Sequence, residues 1–156
     1  MAIELIHPQD PDKKFNLKVD GEITRDIGTN IVTDTIDGLS NQLAGQDIDL
    51  NVKTITIQGK IAGMSHDDYP DPEGETIDTD TTNPNHAYAY SLEQAANDWG
   101  TIISGTSTIY WDRGGLEEEI KGSISNLNTS IAPATENNAD HYTYTLEFTE
   151  IEFGLY

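Results

Sequence analysis

DIDLNVKTITIQGKI, residues 47 to 61, is the longest regular stretch of the chain, and its composition decides the fold class. Ile48, Leu50 and Val52 alternate with polar residues, and Ile55, Ile57 and Ile61 do so on the opposite parity. Alternation of this kind, in β-branched residues with no proline, specifies a half-buried β-strand rather than a helix. Because one residue of slip turns every side chain to the other face, the change of parity predicts a bulge or sharp twist near Lys53 and Thr54.

The same pattern recurs along the chain. HYTYTLEFTEIEFG, residues 141 to 154, aligns Tyr142, Tyr144, Leu146 and Phe148, then changes parity at Ile151 and Phe153. Strands that change face midway are expected where a strand passes from a core to a second surface such as a subunit interface, or where both faces of a twisted sandwich are buried. FNLKVDGEITRDIG carries Phe15, Leu17 and Val19, then a glycine turn and a short strand around Ile23. NIVTDTIDG, residues 30 to 38, reads as another strand, followed by a polar connection. TSTIYWDRGGLEEEIKGSISNL gives a strand, a turn over Asp112 to Gly115 and a returning strand through Ile120 and Ile124. Gly114, Gly115 and Gly122 bracket the three glutamates at 117 to 119 too closely for a helix.

One helix is marked. In SLEQAANDWG, Ser91 takes the N-cap position and Gln94 the third helical position, Leu92, Ala95, Ala96 and Trp99 share a face, and Gly100 ends the run. The expected architecture is therefore a single mainly β domain over 1–156, an antiparallel β-sandwich or small barrel with one flanking α-helix. A long acidic loop, 62–90, precedes that helix. No internal repeat and no linker divides the chain.

Composition narrows the function. Hydrophobic residues make up 35% of 156, enough for one thin sheet-based core. Twenty-eight acids against eight bases give a formal charge of −20, spread along the whole chain. No basic patch exists to displace counterions from phosphates, so sequence-specific nucleic-acid binding and acidic membrane surfaces are excluded. Such a surface repels itself unless salt screens it, the Debye length falling to about 3 Å at molar salt. With eighteen threonines and few lysines, the chain has the composition of a halophile protein. No cysteine is present, which removes disulfides, thiolate catalysis and cysteine metal sites. No signal-peptide pattern opens the sequence and no apolar run has the length of a membrane helix, so a soluble protein made in the cytoplasm is expected.

The densest chemistry is HDDYPDPEGETIDTDTTNPNH, His66 to His86, with seven carboxylates, three prolines and two histidines. An EF-hand frame counted back from Gly74 puts Glu73 at position 5, Asp71 at position 3 and Tyr69 at position 1, where an oxygen ligand is required. Tyrosine there breaks the motif. An irregular calcium site would have to use Asp67, Asp68, Asp71 or Asp78. His66 and His86 are too far apart for a zinc pair, and His7 and His141 stand elsewhere. With 28 acids, a glycosidase-like carboxylate pair carries no information. The serines lack GxSxG spacing, and Gly114–Gly115 has no phosphate-binding helix after it. Asn128-Thr129-Ser130 matches a three-residue glycosylation sequon. No catalytic residue, cofactor or metal ligand is assigned, and the expectation is that the chain is not an enzyme.

The order KTITIQGKI, long loop, SLEQAANDWG, hairpin at WDRGG, and YTYTLEFTEIEFG resembles the tail-tube fold of tailed viruses over roughly residues 14 to 153. The likeness is to the ring-forming tail proteins, tail-tube subunits and distal tail proteins. It implies a β-sandwich or small barrel with one helix whose sheets join between neighbouring subunits into a ring, usually of six. It further implies neighbouring viral tail proteins as partners, DNA only as non-specific passage through the lumen, no membrane, and location in the virion tail after assembly in the host cytoplasm of a halophilic archaeon. By position, the 62–90 loop would be the element reaching a neighbour, with Tyr69, Ile77, Tyr88, Ile151 and Phe153 as inter-subunit contacts. Distal tail proteins commonly carry a second C-terminal domain, whereas this chain ends near its last strand, which favours a tube or minimal ring protein. The alternative is a stand-alone β-sandwich module of a halophile binding calcium or carbohydrate.

Overall fold

The structure, a computed structural model, describes residues 2–31, 49–99, 105–136 and 140–154. Its elements in chain order are β1 (Ala2–Ile6), β2 (Lys14–Asn16), β3 (Val19–Ile31), β4 (Asp49–Ile61), α1 (Pro84–Asp98), β5 (Ser107–Asp112), β6 (Glu117–Ala132) and β7 (His141–Gly154). All strand pairs are antiparallel, and the sheet order is β2-β1-β5-β6-β7-β4-β3. The strand expected over 30–38 and the connection after it lie, past Ile31, outside the described residues.

Two strands turn this sheet into a small barrel. β6 gives its first part, Glu117–Gly122, to β5 and its second part, Ser123–Ala132, to β7. On the opposite side, β2 and β3 are consecutive in sequence and act as one strand. Leu17 N–H donates to Ile3 O (3.0 Å) along one edge, and Lys60 N–H donates to Lys18 O (3.2 Å) along the other. The two ends of the sheet order are thus the same piece of chain.

Each of these corners needs a glycine on the adjoining backbone. A Cβ at Gly122 would lie 2.0 Å from the Thr149 carbonyl oxygen, and one at Gly59, opposite Val19, would lie 2.2 Å from the Tyr144 ring. The irregularities in the ladder also sit at the corners. β3 shifts register between Val19 and Ile23, where Gly21 takes φ 123°, a conformation that favours glycine. β6 is bulged between Ile124 and Asn126, where Ser125 donates to Glu147 O (3.1 Å) and accepts from the Thr149 hydroxyl (2.9 Å).

The bulge expected near Lys53 and Thr54 is not there. β4 pairs with β7 in unbroken register from Asp49 opposite Gly154 to Ile61 opposite Tyr142, and it pairs with β3 through Ile27 opposite Lys53 without a shift. The physical reason for the parity change is a change of surroundings. The last pair between β6 and β7 at this end is Ser123 with Thr149, and beyond it β3, β4 and β7 run on as three strands. Inward-facing Ile55, Ile57, Ile61, Tyr144, Leu146 and Phe148 belong to the buried core, together with Ile3, Leu5, Phe15, Ile109 and Ile120.

The helix starts eight residues earlier than the sequence pattern indicates. Asn83 is the N-cap, its side chain accepting from Asn85 N–H (2.9 Å), and Pro84 follows at the first helical position, where its missing N–H costs nothing. Ser91 is therefore a helix-interior residue, and its hydroxyl donates to the Pro70 carbonyl. Ala87, Tyr88, Leu92 and Ala95 form the buried stripe, and Trp99 closes the C-terminus by donating its N–H to Ala95 O. The helix packs against β6, β7 and β4. Among the described residues no helix is long and apolar enough to cross a membrane.

Candidate functional site: two unpaired sheet edges

The acidic segment before α1 is bound to its own barrel. Met64 and Tyr69 are buried, Asn16 N–H donates to Asp68 O (3.1 Å), and Tyr88 donates to Asn16 O (2.8 Å). Asn85 accepts from Met64 N–H (3.0 Å) and donates to Asp140 O (2.9 Å). His7 accepts at Nδ1 from the N–H groups of Gln9 (3.0 Å) and Asp10 (3.1 Å), so Nε2 carries the proton and donates to Glu73 (2.9 Å). Two of its acids close turns: Asp68 accepts from Ser65 N–H (2.9 Å) and Asp78 from Asp80 N–H (3.0 Å). A crevice beside His7, Glu73 and Trp99 has a volume of about 10 Å³, enough for no more than a water.

This changes the contact assignments. Tyr69 and Tyr88 are buried in the core of their own chain. Burial pushes the pKa of both phenols up, far up for Tyr88. Ile77 is half-buried against the same core. Residues 84–90, expected in the loop, are helix. Ile151 and Phe153 fall in the three-stranded extension, opposite Val52 and Leu50, and their side chains lie outside the described residues.

The most catalytic-looking constellation is a chain of three groups at the start of α1. His86 Nε2 meets Asp140 Oδ2 (3.0 Å), and Nδ1 meets the Tyr142 hydroxyl (2.5 Å). The Ala134 N–H and then His86 hold the Asp140 carboxyl below the usual range. Burial, Glu93 and Asp140 push the Tyr142 phenol up, the opposite of nucleophile activation. Asp140 also closes the 134–140 loop through the Ala134 N–H (2.5 Å), so the cluster ties that loop to the helix.

What stands unused in the fold is backbone. Among the described residues β3 pairs only with β4, leaving its outer edge without a strand, and β6 beyond Gly122 pairs only with β7. These are the two ends of one four-stranded sheet, β6-β7-β4-β3. Arg25 on β3 anchors the sheet where the extension leaves the barrel. Its Nη1 bonds both oxygens of Glu118 on β6 (2.9 and 3.0 Å), and its Nη2 reaches Glu150 on β7 (3.4 Å). Arg113 in the β5–β6 turn adds a bond to Glu118 (3.2 Å) while lying over the Trp111 ring, 4.4 Å from its centre. Both arginines of the chain are gathered here.

Beside the free half of β6, α1 leaves a groove of about 330 Å³ lined by Glu93, Ala96, Asn97, Ile124, Ser125, Asn126 and Leu127. Ile27, on the extension of β3, is 65% exposed. Sequence reasoning found neither Arg25 nor Ile27. A lone arginine in a strand pattern signals no partner, and Ile27 reads as one more core-facing residue. No family model matches the chain, and no curated protein is significantly similar to it.

Proposed function

We propose that this chain is a structural component of a viral tail that self-assembles into rings or a tube and forms part of the channel for DNA ejection, without catalysis. Its partners are copies of itself and the adjoining tail proteins, and DNA passes without being bound.

The observation that carries this function is the pair of edges, at opposite ends of one sheet, that have no strand partner among the described residues. Free edges template pairing with another chain, and proteins that stay monomeric usually blunt them. Edges at opposite ends of a sheet pair head to tail, which generates a ring when the rotation closes and a filament when it does not. The charge of −20 supports the channel role, since an acidic wall repels phosphate and lets DNA slide past.

Size-exclusion chromatography with negative-stain microscopy in molar salt tests this. Rings or tubes are expected, and a strict monomer at every concentration overturns it.

A further inference from the structure

The two free edges differ in what surrounds them, and the difference is complementary. On β3, the register irregularity is confined to Val19–Ile23, and from Ile23 to Ile31 the strand pairs regularly with β4. No proline interrupts it. Ile27 shares a face with Arg25, whose side chain reaches inward to Glu118 and Glu150. Ile27 therefore projects on the face that carries the core further along the sheet, yet it is 65% exposed. At the other end of the same sheet, α1 lies on that inner face against β6, and the groove between them has Ile124, Leu127 and Ala96 as apolar lining. Asn97, Asn126 and Ser125 add polar groups to its walls.

We propose that β3 of one copy of this chain docks along the free half of β6 of the next, with Ile27 seated in the groove between α1 and β6. The inference rests on the self-assembly put forward above and names its contact. In a ring every copy presents the same face inward, so a sheet continued from β6 into the neighbour's β3 keeps the pleat. A residue on the inner face of the incoming strand then points to the side occupied by α1. The lengths suit each other, the nine residues Ile23–Ile31 of β3 against the ten of Ser123–Ala132. Backbone pairing supplies the affinity, and the side chain entering a pocket sets the register, as in other strand-addition contacts. A two-fold β3–β3 pairing would use one edge twice and leave the groove empty.

The chain has no cysteine, so single thiols report the contact directly. Ile27→Cys and Ala96→Cys are prepared separately, mixed in molar salt and oxidised. The expected product is a disulfide-linked dimer with one chain of each kind, absent when either variant is oxidised alone. The double variant should give a ladder of linked oligomers. As a second readout, Ile27→Asp, at an exposed position, should keep the wild-type thermal unfolding and lose self-association by about tenfold or more, as for replacement of an interface anchor. Ile27→Cys linking to itself, or no link in the mixture under conditions where wild type assembles, overturns this contact and leaves the assembly standing. Wild type that stays monomeric throughout overturns both.

Discussion

Gly122 and Gly59 hold the two corners at which the sheet becomes a barrel. Neither has a positive φ. They are required because a backbone carbonyl and a tyrosine ring already occupy the place of a side chain. Gly122→Ala meets rigid backbone and should cost about 3 kcal/mol, the upper range for overpacking, read as a shift in the denaturant midpoint. Gly59→Ala should be about as severe in a Tyr144→Phe background, because ring carbons kept in phenylalanine lie 2.2 and 2.4 Å from the added Cβ. Arg25 carries a different kind of burden. Arg25→Met leaves Glu150 and Glu118 facing each other without their shared cation, a loss of about 2 kcal/mol in a partly shielded pair, measured the same way. Ile27, by contrast, can be replaced without cost to the monomer because it touches little of it.

At the scale of elements, the acidic segment behaves as part of the core. Removing residues 67–85 takes away Tyr69, the Asn83 cap, Pro84 and Asn85, so the shortened chain should fail to fold, seen as loss of cooperative unfolding by circular dichroism. A folded deletion variant would show the segment to be a solvated insertion. Ahead of β7, Asp140 bonds both the Ala134 N–H and His86. Asp140 has a folded pKa below its unfolded one, so its contribution is present above the ordinary carboxylate range and is lost as pH falls through the folded value. The melting-temperature gap between wild type and Asp140→Asn should be constant near neutrality and close as pH drops below about 4. Tyr88 and Tyr144 titrate the other way. Burial raises both, so their contribution is intact below the ordinary tyrosine value and is lost as pH rises through the folded values. Alkaline destabilisation should begin at about pH 10 and be reduced in Tyr144→Phe.

For the whole molecule, charge and topology act against each other. Two copies carrying −20 each repel, whereas in the proposed assembly the two sheet edges pair through backbone hydrogen bonds. Self-association should therefore strengthen with salt between about 0.1 M and 1 M as the Debye length falls from about 10 Å to 3 Å. Sedimentation velocity across that range measures it, and association that weakens with salt would mean that attraction between charges holds the copies together.

The antiparallel class, the core residues Ile55, Ile57 and Ile61 of β4, Ile120 of β6 and Tyr144, Leu146 and Phe148 of β7, the hairpin at Asp112–Gly115 and a helix ending near Trp99 all follow from the sequence. Alternation and turn chemistry are local, and these elements obey them. The helix start was also written locally, in Asn83-Pro84, but the alternating AYAYS after it disguised the helical face. Other features depended on contacts between residues far apart. That Tyr88 meets Phe15, and Tyr69 meets Tyr88, depends on how the 62–83 segment folds back. The parity change in β4, which suggests a bulge, reflects instead where β6 ends as a partner. The closure of the barrel, the pairing of Arg25 with Glu118 and Glu150, and the two edges left free exist only once distant strands are side by side. A pattern along one strand records which residues are apolar, and only the tertiary structure decides what each of them meets.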